Sequence, residues 1–204
     1  MTADIVIVDY GMGNLRSVQK AFEHVGHAAD VTGDPARVAT AKKLVVPGIG
    51  AFRDAIGRLR ETGLAEAAIS HANTGKPFLG VCLGLQLLFD ESLEGGQFAG
   101  LGILPGRVVP FPTGQGVKVP HMGWNTLQLT QPACPLFAGL PADPAVYFVH
   151  GYYAEPADSD LAATADHPTP VCAAVWRGNV YATQFHPEKS QDVGLRMLKN
   201  FAEL

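Results

Sequence analysis

A single cysteine between glycines is the most chemically informative residue of this chain. Cys82 lies in Gly80-Val81-Cys82-Leu83-Gly84, after an apolar strand pattern and before a helix-like segment. The N-terminus of a helix carries partial positive charge and unpaired N–H groups, which favour a thiolate and can stabilise a neighbouring oxyanion. The spacing therefore predicts a nucleophilic thiol at a strand-to-helix turn. A buried cysteine that only packs within such a turn is the alternative.

A second candidate lies near the end of the chain, in His186-Pro187-Glu188, directly after a strand pattern over residues 180–185. Pro187 stiffens the turn, so Glu188 can orient His186 and stabilise its imidazolium form. Taken alone, this pattern also suits a structural histidine. Because open α/β sheets place their active sites at the carboxyl ends of strands, Cys82 and His186 together predict a Cys-His-Glu triad.

A glycine-rich turn supplies the third chemical element. Pro47-Gly48-Ile49-Gly50 follows the apolar run 44–46, and its glycines permit unusual φ/ψ values and close approach to a ligand. The N–H groups of Gly48, Ile49 and Gly50 could join that of Leu83 in an oxyanion hole. A glycine-rich βα turn without a ligand is the alternative.

The elements that must position these residues follow a simple pattern in the first half of the chain, where strand and helix periodicities alternate. Strands are predicted at 5–8, 27–31, 43–46 and 77–81, and helices at 15–25, 52–60 and 64–71. Short strand patterns follow at 106–110, 116–120, 126–129, 146–149 and 161–164, then a hairpin around 177–179 and a helix over 193–201. The pattern predicts an α/β fold with a single open, mainly parallel sheet, helices on both faces and some antiparallel strands in the second half. Without a linker, residues 1–204 are expected to form one domain.

Composition excludes several functional classes. The 204 residues carry a formal net charge of −4 with 47% hydrophobic and 17% charged residues, so neither nucleic acid nor an anionic membrane is an expected partner. The N-terminus lacks the pattern of a signal peptide, and no apolar run is long enough to span a membrane. Three widely spaced cysteines without a C-x-x-C pair predict neither disulfides nor a zinc site. We therefore expect a cytoplasmic protein with reduced thiols.

Cofactors are not indicated. Gly11-Met12-Gly13 follows the first strand, but Arg16 stands where a dinucleotide-binding turn needs its third glycine. The histidines show no metal-binding spacing. We expect no cofactor and no metal.

The three chemical motifs together resemble the triad-type, or class I, glutamine amidotransferases over nearly the whole chain. Longer strings are similar to one branch of that family, the glutaminase subunits of imidazole glycerol phosphate synthases; these strings are residues 9–18, 118–125, 147–150 and 184–190. The resemblance implies that Cys82, His186 and Glu188 hydrolyse glutamine to glutamate and ammonia. It also implies a role in histidine biosynthesis.

The resemblance further assigns the groups that hold glutamine. They are Gln86, Glu94 and the backbone around Gly151 and Tyr152. The family leads us to expect Ser or Thr where this chain has Gly151, which preserves a backbone contact and removes a hydroxyl.

The resemblance implies a heterodimer with a (βα)8-barrel cyclase subunit that converts the ammonia to imidazole glycerol phosphate and AICAR. Residues expected at that junction are Asn14, His121, Trp124, Tyr147 and Lys189. Trp124 as ordinary core, Tyr147 as a sheet residue and Lys189 as a solvated charge are the alternatives. Two rival functions stay open: the amidotransferase subunit of another synthase, such as that for pyridoxal phosphate or anthranilate, and a catalytically silent binding subunit on the same fold.

Overall fold

The computed structural model describes residues 3–112 and 118–204. Its strands are β1 (Ile5–Val8), β2 (Ala29–Thr32), β3 (Lys43–Gly48), β4 (Phe78–Cys82), β5 (Glu91–Ser92), β6 (Phe98–Ala99), β7 (Gly106–Pro110), β8 (His121–Thr126), β9 (Gln128–Leu129), β10 (Ala145–His150), β11 (Tyr152–Pro156), β12 (Leu161–Asp166), β13 (Pro170–Arg177) and β14 (Val180–Thr183). Its helices are α1 (Leu15–His24), α2 (Pro35–Thr40), α3 (Phe52–Glu61), α4 (Leu64–Ala72), α5 (Leu83–Gln86) and α6 (Gln191–Ala202).

The main sheet contains, within the described residues, eight strands in the order β2-β1-β3-β4-β14-β13-β12-β9. The first five run parallel, and the strands from β13 onward pair antiparallel with their neighbours. The predicted α/β class with a mainly parallel sheet is therefore confirmed. The carboxyl ends of β3 and β4, which carry two of the chemical motifs, lie side by side because Gly48 pairs with Cys82.

Apolar side chains on both faces of this sheet explain the continuous hydrophobic runs of its parallel strands. In β1, Val6 and Val8 belong to the core shared with α3 and α4, whereas Ile5 and Ile7 belong to the core shared with α1 and α6. Alternation along a strand sends successive side chains to opposite faces. Helices thus cover both faces, as the sequence predicts.

The expectation that all strands join a single sheet needs correction. Strands β8 and β10 form a separate antiparallel pair, and β5, β6, β7 and β11 form a further small sheet. In β8 and β10, burial alternates from residue to residue, which is the pattern of a ribbon with one face on the core and one face in solvent. We refer to β8 and β10 together as the outer ribbon.

Local differences from the prediction follow from element length. The six-residue helix α2 is too short for its periodicity to be recognised, and the helix after Cys82 extends for only one turn, Leu83–Gln86. The strand predicted at 116–120 begins at residues outside the described ranges, and residues 118–120 are not strand. The hairpin is confirmed, since Arg177 pairs with Val180 across a turn in which Gly178 has a φ of +59°. Of the helices in the described ranges, none is long and apolar enough to cross a membrane.

Candidate active site

The turn that carries Cys82 is unusually tight. Cys82 ends β4 with a φ of +56°, a conformation that non-glycine residues rarely adopt. A Cβ atom on Gly84 would lie 1.8 Å from the carbonyl oxygen of Val46, and one on Gly80 would lie 2.7 Å from the carbonyl oxygen of Gly84. The two glycines therefore let the first turn of α5 lie against β3 and β4. This close packing holds the thiol at the sharp turn between strand and helix.

His186 and Glu188 form a buried pair next to this turn. Residues Pro187–Lys189 form one 3-10 turn that brings the Glu188 carboxylate back to the imidazole, with 2.8 Å between His186 Nδ1 and Glu188 Oε1. The side chains of His186 and Glu188 are 3% and 1% exposed. Nδ1 is thereby engaged, and Nε2 is the nitrogen that remains for a second partner.

That second partner is Cys82. Burial by itself would lower the pKa of His186, but hydrogen bonds to Cys82 and Glu188, with the negative charges of both groups, raise it to about 9. The imidazolium form is therefore favoured at neutral pH. Cys82 and His186 also line the same cavity, of about 280 Å³. The three predicted triad residues are brought together.

Backbone contacts fix His186 to the outer ribbon. Its N–H donates to the carbonyl of Tyr147 (3.0 Å), and its own carbonyl accepts from the hydroxyl of Ser190 (2.6 Å). The Ser190 oxygen in turn accepts from the N–H of Tyr147 (3.0 Å). Ser190 is fully buried; the sequence analysis includes it in the string 184–190 but assigns it no role.

The predicted oxyanion groups are only partly in the cavity. Leu83, Ile49 and Gly50 line it, whereas Gly48 lines a smaller void behind His186 and Glu188. A Cβ atom on Gly48 would lie 2.6 Å from the hydroxyl of Tyr10, so glycine is required there by close packing. Gly50 has a φ of +88°.

Tyr10 supports this loop and was not singled out from the sequence. Its hydroxyl donates to the carbonyl of Pro47 (2.9 Å), and its side chain is 2% exposed. Burial, followed by the negative charge of Cys82, raises the pKa of Tyr10, so the phenol stays a donor. A polar aromatic residue just after a buried strand is the signal that could have indicated it.

The four residues expected to hold glutamine, Gln86, Glu94, Gly151 and Tyr152, all line the cavity. The Gln86 amide donates to the carbonyl of Tyr152 and to Gln184 Oε1, both at 3.0 Å. Glu94 Oε2 accepts from the N–H of Phe52 (3.0 Å) at the start of α3. The nearest atom to a Cβ on Gly151 would be a methyl group of Val119 at 3.7 Å, which is ordinary van der Waals contact, so a Cβ atom would fit there.

Gln184 is a further residue that sequence reasoning missed. It is fully buried, and its Nε2 lies 3.9 Å from the sulfur of Cys82. It therefore joins Gln86 to the thiol. The sequence analysis includes Gln184 in the string 184–190 but assigns it no role.

The positions expected at a partner junction differ in exposure. Trp124 is 51% exposed and packs edge-on against the half-buried Tyr147, with ring centroids 6.2 Å apart. Asn14 and Lys189 are also exposed. His121 is only 4% exposed, so its side chain lies beneath the surface that Trp124 and Tyr147 form. It points into the molecule because alternate residues of the outer ribbon face the core.

No group of three or more His, Cys, Asp or Glu side chains is arranged to hold a metal in residues 3–112 and 118–204. The cavity instead offers a thiol, an imidazole, a carboxylate and main-chain groups. Such a set can attack a carbonyl carbon, protonate a leaving group and activate water. It does not by itself identify the carbonyl compound.

Comparisons with known proteins narrow the substrate class. The family model for "Glutamine amidotransferase class-I" matches residues 6–204. A protein of Syntrophotalea carbinolica named "Imidazole glycerol phosphate synthase subunit HisH" is 60% identical, covering 98% of this chain and 100% of its own length. A protein of the same name from Geobacter sulfurreducens is 52% identical, with 98% of both chains covered.

A solved structure of a glutamine amidotransferase matches the fold. Its TM-score is 0.75 at 22% identity, and the match covers 98% of this chain and 99% of that one. At this identity the likeness shows the fold alone.

Proposed function

Because the chain belongs to the class-I glutamine amidotransferases, we propose that it hydrolyses the side-chain amide of glutamine with Cys82, His186 and Glu188. The proposal is supported by one observation above all: the buried His186 imidazole interacts with the Cys82 thiol on one side and the Glu188 carboxylate on the other. The reaction starts from the Cys82 thiolate and the His186 imidazolium.

In the first half-reaction the thiolate attacks the amide carbon of glutamine and the carbonyl oxygen becomes an oxyanion. The His186 imidazolium gives its proton to the amide nitrogen, the C–N bond breaks, and ammonia leaves. A γ-glutamyl thioester remains on Cys82. In the second half-reaction neutral His186 takes a proton from water as the water attacks the thioester. Glutamate leaves, and the thiolate and imidazolium are restored.

The oxyanion is stabilised by main-chain N–H groups of Leu83 and of the loop Gly48, Ile49 and Gly50. One donor of this kind is worth a factor of about 10² to 10³ in rate. The Tyr10–Pro47 hydrogen bond supports the position of this loop. Glutamine is held by Gln86, Glu94 and the backbone of Gly151 and Tyr152, which together line the cavity.

The chain acts as the glutaminase subunit of imidazole glycerol phosphate synthase, the name carried by relatives at 60% and 52% identity over nearly their full lengths. The ammonia passes to a (βα)8-barrel cyclase in a heterodimer, which forms imidazole glycerol phosphate and AICAR. Ammonia that escapes to neutral water is protonated and loses the lone pair needed for attack, so transfer requires an enclosed route between the two sites.

Exposed apolar side chains near the cavity favour a docked partner. Of the large hydrophobic side chains exposed in the described parts of the chain, Ile49 lines the cavity, Val119 lies beside Gly151, and Met122 and Trp124 lie on β8. Clustered exposed hydrophobic residues are typical of interaction sites. We assign Asn14, Trp124, Tyr147 and Lys189 to this junction, with His121 beneath it.

We also propose that residues 1–204 form a single domain and that the enzyme is cytoplasmic. The family match over residues 6–204 supports one glutamine amidotransferase domain. The three cysteines are unpaired and buried, which suits a reducing compartment.

A partner-stimulated glutaminase assay tests the proposal. Glutamate release is measured for the purified chain alone, with the cyclase subunit, and with the pyridoxal phosphate or anthranilate synthase partner. We expect strong stimulation by the cyclase only. Stimulation by another synthase instead would refute the assignment.

Two cysteine variants separate the half-reactions. Cys82→Ala should abolish glutamine-dependent synthesis in the complex and leave synthesis from added ammonium salt intact, while Cys134→Ala, which removes a buried thiol outside the cavity, should retain both. A glutamine-analogue electrophile should label wild type and Cys134→Ala but not Cys82→Ala. Absence of labelling in wild type would favour a catalytically silent subunit.

A further inference from the structure

A line of buried and half-buried polar groups connects the outer ribbon with the cavity. Asn125 Nδ2 lies 3.1 Å from His121 Nε2, His121 Nδ1 lies 3.0 Å from His150 Nε2, and His150 Nδ1 lies 2.8 Å from the carbonyl oxygen of Tyr152. His121 and His150 are 4% and 6% exposed. We call Asn125, His121, His150 and the Tyr152 carbonyl the histidine bridge. Neither half-reaction above uses the two imidazoles of the bridge.

The direction of its hydrogen bonds is fixed at both ends. At one end the Asn125 Oδ1 accepts from the N–H of Thr126 (2.8 Å) while its Nδ2 donates to the carbonyl of Asp166 (2.8 Å). This orients the amide so that Nδ2 faces His121, whose Nε2 must then be the acceptor. At the other end a carbonyl oxygen can only accept, so His150 Nδ1 must carry a proton.

The two ends agree on the contact in the middle. If His121 accepts at Nε2, its proton is on Nδ1; if His150 carries its proton on Nδ1, its Nε2 is free to accept from His121. All three bonds thus run from Asn125 towards Tyr152, with both rings neutral. Protonation of His150, or a change of tautomer in either ring, would place two donors or two acceptors face to face.

The surroundings keep both rings neutral. Burial lowers the pKa of His121 to about 4, with a further contribution from the charge of His167, whose ring stacks on it at 4.1 Å. The pKa of His150 is also lowered, to about 3. Burial is the largest cause, and the charges of His121, His167 and His186 act in the same direction, whereas the hydrogen bond to the Tyr152 carbonyl opposes them.

The histidine bridge ends at the backbone of Gly151 and Tyr152, where the chain passes from one sheet to another beside the cavity. His150 is the last residue of β10, Gly151 is the junction, and Tyr152 begins β11 in another sheet. The Tyr152 carbonyl that accepts from His150 also accepts from Gln86, which lines the cavity. The backbone that holds glutamine is therefore tied to the outer ribbon through two imidazoles.

We propose that His121 and His150 are positioning residues: with Asn125 they hold the Gly151–Tyr152 backbone in its glutamine-binding position and link it to the strand that presents Met122 and Trp124. The inference deepens the proposed function and rests on it.

The first test reads the tautomers directly. Nitrogen-15 NMR of histidine-labelled full-length chain at pH 7 should show His121 and His150 as neutral rings with protons on Nδ1. In Asn125→Asp a carboxylate replaces the donor, so His121 should gain a proton at Nε2. An Nε2–H tautomer or an imidazolium at either position in wild type would overturn the proposal, whether or not the chain is a glutaminase.

The second test uses kinetics in the assembled complex. In His150→Gln the side-chain amide takes the position of the imidazole Nε2, and no atom replaces Nδ1, so the hydrogen bond to the Tyr152 carbonyl is lost. We therefore expect KM for glutamine to rise about three- to tenfold while kcat changes less than twofold. In His150→Asn the amide nitrogen takes the position of Nδ1 and keeps the hydrogen bond to the Tyr152 carbonyl. KM for glutamine should therefore rise less than in His150→Gln. Equal effects of the two variants, or a fall in kcat without a change in KM, would overturn the proposal.

A matched control removes another buried histidine. His71 is fully buried on α4, and its Nε2 bonds the carbonyl of Pro77 at 3.1 Å, but it does not line the cavity. His71→Gln should leave KM for glutamine unchanged. Absence of glutaminase activity in wild type would refute the proposed function itself, whereas an active wild type with unaltered KM in His150→Gln would refute only the positioning role.

Discussion

Replacement of Glu188 by Gln tests how the catalytic imidazole is charged. The carboxylate bonds His186 through Oε1 at 2.8 Å, and its Oε2 is buried without a hydrogen-bond partner among the described residues, so its interaction is directed at the imidazole. A hydrogen bond to a charged group contributes about 1.5–3 kcal/mol. Because about 1.4 kcal/mol corresponds to one pH unit, we expect the pKa of His186, about 9 in the native protein, to fall by roughly one to two pH units in Glu188→Gln.

The sign of the effect follows from linkage. Since folding raises the pKa of His186 above its ordinary value of 6.5, its protonation stabilises the fold fully below about pH 6.5, and this contribution is lost as pH rises through about 9. In Glu188→Gln the loss should occur at lower pH. At pH 8 the same shift depletes the imidazolium that protonates the leaving amide nitrogen, so we expect kcat to fall about two- to tenfold at that pH.

The assay is the pH dependence of cyclase-stimulated glutamate release, with unfolding followed by circular dichroism over the same range. Glu203→Gln is the matched control, because Glu203 lies 4.0 Å from the imidazole of His27 in a pair that is 53% and 32% exposed, and such surface pairs contribute little. The reasoning would be refuted by a folded Glu188→Gln variant whose activity declines at the same alkaline pH as that of wild type and whose kcat is within twofold of the wild-type value.

Three further substitutions, with one control, test the geometry around the cavity. Gly84→Ala would place a methyl group 1.8 Å from the Val46 carbonyl oxygen, so we expect the free energy of unfolding in urea to fall by at least about 3 kcal/mol. The control is Gly57→Ala, in open space on α3, which should raise the free energy of unfolding by about 0.5–1 kcal/mol. Gly151→Ser has room for its Cβ atom and adds a hydroxyl to the lining of the proposed glutamine cavity, so KM for glutamine should fall about two- to tenfold. A rise in KM would contradict a role of this position in holding glutamine. Tyr10→Phe leaves a buried carbonyl of β3 without its donor and should cost about 1–3 kcal/mol in urea unfolding; no loss would show that this hydrogen bond does not stabilise the loop.

The sequence by itself determined the alternating strands and helices of the first half, the tight turn at Cys82 and the pairing of His186 with Glu188. These features depend on local rules: side-chain periodicity, glycine where backbones approach closely, and proline in a short turn. Each can be judged within about ten consecutive residues. The structure therefore agrees with them closely.

Only the tertiary structure decided which distant groups touch. The contact of Gln184 with Cys82, the hydrogen bond of Tyr10 to Pro47 and the burial of His121 join segments that sequence periodicity cannot align. The assignment of the strands in residues 3–112 and 118–204 to three sheets was likewise decided by which faces each strand buries against the rest of the molecule. The physical reason is that these contacts depend on how completed elements pack together, whereas a local pattern specifies only the element itself and the face it buries.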